Sequence, residues 1–196
     1  MIPTSKIVIL FVAGLLVFAL VLVCRSWEER KLSEGHGVAP FPMEKAEKLS
    51  VDELVQRAEG VGEIVLPSWM PDDIKLREIY FKGLAILVYS DLETRDYRED
   101  KVTIQISRVD VAPTLEDLKR LPGEVVRAGD FWVVVYQDAA PDAWMEERGV
   151  RPILAEFFHD GFEYLVTGIR GQLTKDEIVR IIANMKPLGA DTLRKA

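Results

Sequence analysis

Two kinds of hydrophobic pattern divide the chain. From Ile7 to Cys24 the positions are apolar all round, 18 residues without a charge or a proline, 14 of them Leu, Ile, Val or Phe. A helix of that length rises about 1.5 Å per residue and so reaches roughly 27 Å, one hydrocarbon core. Insertion of its 14 strongly apolar side chains is favourable by roughly 6 kcal/mol. A buried core helix is rarely apolar all round for five turns, so the pattern predicts a transmembrane helix. The sequence before Cys24 lacks a small-x-small cleavage site, and Val23 and Arg25 flank the cysteine unlike a lipoprotein signal. We therefore expect an uncleaved anchor. Arg25 and Trp27 fall at its membrane interface, where an indole has one wet and one dry edge.

Beyond the anchor the pattern becomes amphipathic. Ser50 and Glu53 form a capping box, with Leu49 and Leu54 at the hydrophobic-staple positions, which predicts a helix from Val51 to about Glu59. Period-two alternation and turn residues then predict strands. Ile74–Phe81 and Leu84–Ser90 flank Lys82-Gly83, and Lys101–Val109 alternates alone. Glu124–Arg127 and Phe131–Gln137 flank Ala128–Asp130, and Ile153–His159 and Phe162–Gly168 flank Asp160-Gly161. The last dipeptide suits a type I′ turn. Short helices are expected after Thr114 and from Pro141 to Arg148. Thr174 and Glu177 form a second capping box before Ile178, Ile181, Ile182 and Met185, a single apolar face. The fold class is α+β: a transmembrane helix, then an antiparallel sheet with helices packed on it. The expected organisation is a tail (1–6), the anchor (7–24), a juxtamembrane linker (25–43), a leading helix (44–61), the α+β domain (62–189) and a C-terminal tail (190–196).

Charge narrows the partners. From Ser26 onward 23 cationic residues face 32 acidic ones, a net charge of −9. An acidic body without a basic stripe argues against nucleic acid and against adhesion to anionic lipid. Membrane contact is assigned to Ile7–Cys24 alone, leaving an unidentified protein or small molecule as partner. The positive-inside count (Lys6 and the amino terminus against Arg25, Arg30 and Lys31) leaves the side of the membrane open, because long domains translocate largely regardless of it. One Asn and four Gln make a chain poor in thermolabile amides, as in thermophilic proteins.

The chemistry-bearing residues do not form a recognised site. Neither His36 nor His159 has a ligand or triad partner at a diagnostic spacing, and one Cys allows no internal disulfide or thiolate-built metal centre. P-loop, dinucleotide and nucleophile-elbow motifs are missing. The acidic residues between Asp91 and Asp100 are interleaved with Arg95, Arg98 and Lys101 and lack the order of an EF-hand loop. No catalytic residue, metal or cofactor is expected. Trp132 lies within a strand and is expected in the core. Trp69, the neighbouring Asp72 and Asp73, and Trp144 are the candidate contacts for a ligand or partner.

Leu66-Pro67-Ser68-Trp69-Met70-Pro71, then Ala85–Asp91 and Val102–Ile106, then Gly161–Val166 followed by a helix from Leu173 to Met185, resemble an extracytoplasmic domain family of unknown function. That family is similar to the C-terminal part of sporulation proteins related to outer-membrane-lipoprotein carriers, and occurs in anti-sigma-type anchored regulators. The resemblance spans residues 62–188 and departs at Trp69 and at Asp72-Asp73, where the family has Glu-Gly. It implies an extracytoplasmic domain on a single-pass anchor with no known catalytic residues. The resulting expectation is a non-enzymatic binding, sensing or envelope-associated module at the cell membrane. The competing expectations are a ligand-binding protein or enzyme with a cleft near Trp69, and a cytoplasm-facing adaptor.

Overall fold

Three Ser or Thr residues followed at the third position by an acid set where helices begin. In the computed structural model, which describes residues 45–59, 61–71, 74–91, 101–141, 143–147, 149–169 and 172–187, each makes a reciprocal capping box. Ser50 with Glu53 opens α1 (Val51–Ala58), Thr114 with Asp117 opens α2 (Leu115–Leu118), and Thr174 with Glu177 opens α4 (Lys175–Ala183). In each box the hydroxyl accepts the N3 amide while the carboxylate accepts the cap's own N–H, so two otherwise orphaned donors are satisfied. A further helix, α3, spans Ala143–Glu147.

The strands are β1 (Glu47–Lys48), β2 (Val65–Pro67), β3 (Lys75–Phe81), β4 (Ala85–Ser90), β5 (Val102–Arg108), β6 (Glu124–Ala128), β7 (Phe131–Tyr136), β8 (Pro152–His159), β9 (Phe162–Ile169) and β10 (Met185–Pro187). Eight of them form one antiparallel sheet in the order β1-β3-β4-β5-β9-β8-β7-β6, and β2 pairs with β10 in a small second sheet. Two meanders, β3-β4-β5 and β6-β7-β8-β9, thus join where β5 pairs with β9. The β8–β9 turn has positive φ at both Asp160 (44°) and Gly161 (82°), the type I′ signature that fits the twist of a hairpin.

Register builds the core. Ile79, Leu87, Ile104, Val166, Ala155 and Val135 lie opposite one another in turn across six strands, all buried. Against this face α4 lays Ile178, Ile181 and Ile182, each fully buried, so each contributes about 1.5–3 kcal/mol of apolar transfer. Helix α1 adds Leu54 and Ala58 to the same cluster. The other sheet face carries Tyr80, Ile86 and Val88, together with a buried Glu156 that accepts a hydrogen bond from the Tyr136 hydroxyl at 3.0 Å.

The architecture is therefore mostly antiparallel sheet with a few helices, consistent with α+β. Among the described residues no helix is long and apolar enough to cross a membrane. The segment Ile7–Cys24, with Arg25 and Trp27, lies outside the described residues. One expectation is overturned: Trp132 is 42% exposed rather than a core residue. Strand parity explains it, because Phe131, Val133 and Val135 take the core face and Trp132 must point the other way. Its indole instead lies beside Arg127, whose guanidinium carbon is 5.1 Å from the ring centroid.

Candidate functional site

Trp69 lies in the loop that follows β2. The Ser68 N–H and hydroxyl both donate to the Asn184 carbonyl, at 3.0 and 2.6 Å, pinning this loop to the end of α4. Trp69 is half-buried, packs against the core, and has the Arg180 guanidinium carbon 4.0 Å from its ring centroid. A cation thus covers the indole within the fold. Asp72 and Asp73 lie outside the described residues. Trp144 falls in α3, on the β7–β8 connection, and its side chain also lies outside them. Of the four expected contact residues, Trp69 alone has a described side chain.

A concave surface is found elsewhere, where α1 crosses the end of the sheet. It is a groove of about 210 Å³. Leu54, Ala58 and Val61 line one side, and Phe81, Leu84, Ala85, Ile106 and Phe162 supply the sheet side, with Ile64 and Gly83 also on its wall. Among the described residues the lining also includes two guanidinium groups, those of Arg57 and Arg108, and no carboxylate. The apolar wall follows from register, since Phe81, Ala85 and Ile106 are successive cross-strand partners on the core face.

The two arginines differ. Arg57 sits in the last turn of α1, where a cation complements the helix dipole. It donates to Glu47 Oε2 at 2.6 Å and stacks its guanidinium 4.4 Å from the Phe81 ring centroid. Its charge is already partly offset. Arg108 is the last residue of β5 and lies opposite Phe162 of β9. It is exposed and makes no ion pair among the described residues. The sequence carried a signal for it: Arg108 continues the Val102, Ile104, Ile106 register, so a cation occupies a position that alternation assigns to the apolar face.

Among the described residues, no titratable group with a shifted pKa lines this groove. Hydrogen bonds from the Ser50 and Thr174 backbone N–H groups, and next from their hydroxyls, lower the pKa of Glu53 and Glu177. For Asp117 the Thr114 hydroxyl comes first and its backbone N–H second. Burial raises the phenols of Tyr89, Tyr136 and Tyr164. These shifts belong to caps and core. Among the described residues no group of three or more His, Cys, Asp or Glu side chains is placed to hold a metal ion. His159 sets its ring edge-on to Phe131 at 5.5 Å, a packing role. No protein-family model, curated protein or solved structure matches the chain.

Proposed function

We propose that the chain is a single-pass, membrane-anchored, extracytoplasmic and non-enzymatic binding module. Ile7–Cys24 serves as the anchor, and the groove between α1 and the sheet as the receiving surface. The observation that carries this reading is the groove's lining: among the described residues it consists of apolar side chains, glycine and two guanidinium groups. Such a wall supplies burial and charge recognition, the two elements of a binding surface. The uniformly apolar run before it supports the anchor, and the resemblance of residues 62–188 to anchored extracytoplasmic domains supports the side of the membrane. Tethering holds the groove near membrane-borne partners and raises their effective concentration.

Two measurements on the full chain in intact cells test this. Added protease should digest the body while leaving a membrane-embedded stub. A body protected until the cells are lysed would place it in the cytoplasm and refute the location. A photo-crosslinking side chain at Val61, in the groove, should give a discrete adduct. The same probe at Asp130, in the β6–β7 turn, should not. Equal labelling at both positions, or none at Val61, would remove the groove as the binding surface.

A further inference from the structure

We infer that the groove receives an acidic peptide segment of a partner protein, with an apolar side chain inserted against Ala58, Ala85 and Ile106 and a flanking carboxylate meeting Arg108. This rests on the reading of the groove as the receiving surface and adds the class of its occupant.

Size supplies the first argument. The groove of about 210 Å³ lies below the 300–1,000 Å³ typical of sites that engulf a small molecule. It equals the volume of roughly seven waters, room for one or two side chains and too little to enclose a long acyl chain. It is partly open to solvent, so a peptide can lie across it while one residue enters, the anchor-and-groove mode of peptide recognition.

Charge supplies the second. The body is acidic, a net −9 from Ser26 onward, yet among the described residues both charged ones lining the groove are cations. This local reversal selects an occupant of opposite sign and steers it to the groove, while the surrounding surface repels acidic segments elsewhere. Arg57 is engaged by Glu47 and Phe81, whereas Arg108 has no ionic partner among the described residues. Its planar fork is suited to bidentate capture of a carboxylate.

The test uses the full chain in nanodiscs of zwitterionic lipid and a fluorescein-labelled peptide of sequence Gly-Glu-Leu-Leu-Glu-Gly, read by anisotropy. Two control peptides replace its acids by Gln or its leucines by Ser. The acidic, apolar peptide should bind saturably and weaken as salt is raised, and either control should bind at least about tenfold more weakly. Arg108→Glu should lose about tenfold for the acidic peptide and gain affinity for a version carrying Lys in place of Glu. An unchanged thermal midpoint for this exposed substitution verifies the fold. Failure of the acidic peptide to saturate at millimolar concentration overturns the inference. Equal binding of the Gln peptide, or indifference to Arg108→Glu, does the same. Displacement of the peptide by dodecanoate at comparable concentration would assign the groove to a lipid and also overturn it. A Val61 adduct that forms in cells regardless of Arg108→Glu would leave the groove's binding role standing while removing this occupant.

Discussion

Tyr164→Phe removes one oxygen from the centre of the body, and its consequence can be worked out from the structure. The Val65 N–H donates to the Tyr164 phenol oxygen at 3.0 Å, and both residues are buried. This bond ties the small β2–β10 sheet to the main one. It matters more because Val65 lies opposite Pro187, which has no N–H to offer the short ladder. Phenylalanine keeps the ring, which stacks on Phe157 at a centroid distance of 4.6 Å and an interplanar angle of 11°. The packing is retained and the Val65 amide loses its acceptor. A buried donor left unsatisfied costs about 1–3 kcal/mol. In a body of this size each kcal/mol moves the thermal midpoint by about 3–4 °C, so Tm should fall by about 3–12 °C.

The assay is thermal unfolding of the full chain followed by circular dichroism, with hydrogen exchange at the Val65 amide as the local readout. The amide should lose protection in Tyr164→Phe while amides of β5 and β9 keep theirs relative to global stability. As a scale, Tyr164→Leu also removes the stacked ring and should cost more, about 3 kcal/mol or above. A Tm within a degree of the parent, with Val65 still protected, would refute the claim that this bond docks β2 onto the sheet.

Four further perturbations test other parts of the structure. A methyl group added at Gly62 would sit 1.8 Å from the Asp160 carbonyl oxygen, against a turn whose Asp160 carboxylate accepts the Glu63 N–H. Gly62→Ala should therefore destabilise by about 1–3 kcal/mol, seen as a lower denaturant midpoint; an unchanged midpoint would contradict the close approach. Thr174→Ala removes the cap of α4 and should cost about 1 kcal/mol in chemical denaturation. The capping acids Glu53, Asp117 and Glu177 have pKa values lowered by folding. Their contribution is present above the ordinary carboxylate range and is lost as pH falls through their folded values. Ser50→Ala, Thr114→Ala and Thr174→Ala combined should flatten that acid limb, and an unaltered limb would show that the caps do not cause it. At the alkaline end, the pKa values of Tyr89, Tyr136 and Tyr164 are raised from the ordinary 10.0. Stability should thus hold below that value and fall above it, by up to about 1.4 kcal/mol per pH unit for each phenol that ionises only on unfolding. Stability that stays level past that point would rule out burial of the phenols.

Local signals were legible in the sequence because their physics is local. A capping box needs only four residues, so α1 and α4 begin at Val51 and Lys175 as Ser50 and Thr174 require. The Asp160-Gly161 turn likewise follows from the two residues that tolerate positive φ. What escaped was set by partners distant in the chain. Met185 reads as the last residue of an apolar helix face, yet α4 stops at Ala183 and Met185 opens β10 opposite Pro67. Nothing near Met185 encodes that pairing. Trp132 was readable from parity alone, but its size suggested burial and outweighed the alternation of Phe131, Val133 and Val135. The candidate site was the least legible part: Leu54 and Ala58 of α1 are separated by about fifty residues from Ile106 and Arg108 and by about a hundred from Phe162, and only the folded register places them around one groove. Arg108 was the sole local clue, a cation in an apolar register.

The groove exists because small side chains occupy positions where the core would otherwise close. Ala85 stands between Phe81 and Ile106 in one cross-strand row, and Ala58 is the last residue of α1 above the sheet; both line the space. Larger residues there would have supplied more burial, since each added methylene contributes about 0.8 kcal/mol when it displaces water from an apolar wall. Ala58→Leu separates a folding need from a binding need. The added carbons have about 210 Å³ to enter, so the usual penalty for overpacking should be small and the stability change should stay within about 1 kcal/mol of zero. The acidic peptide, in contrast, should lose its seat and bind at least about tenfold more weakly, although Arg57 and Arg108 remain. A variant as stable as the parent but unable to bind would identify the missing volume as the receiving site. A variant that binds normally would place the peptide elsewhere and leave the groove as a packing defect, and one destabilised by several kcal/mol would mean that Ala58 is already tightly enclosed.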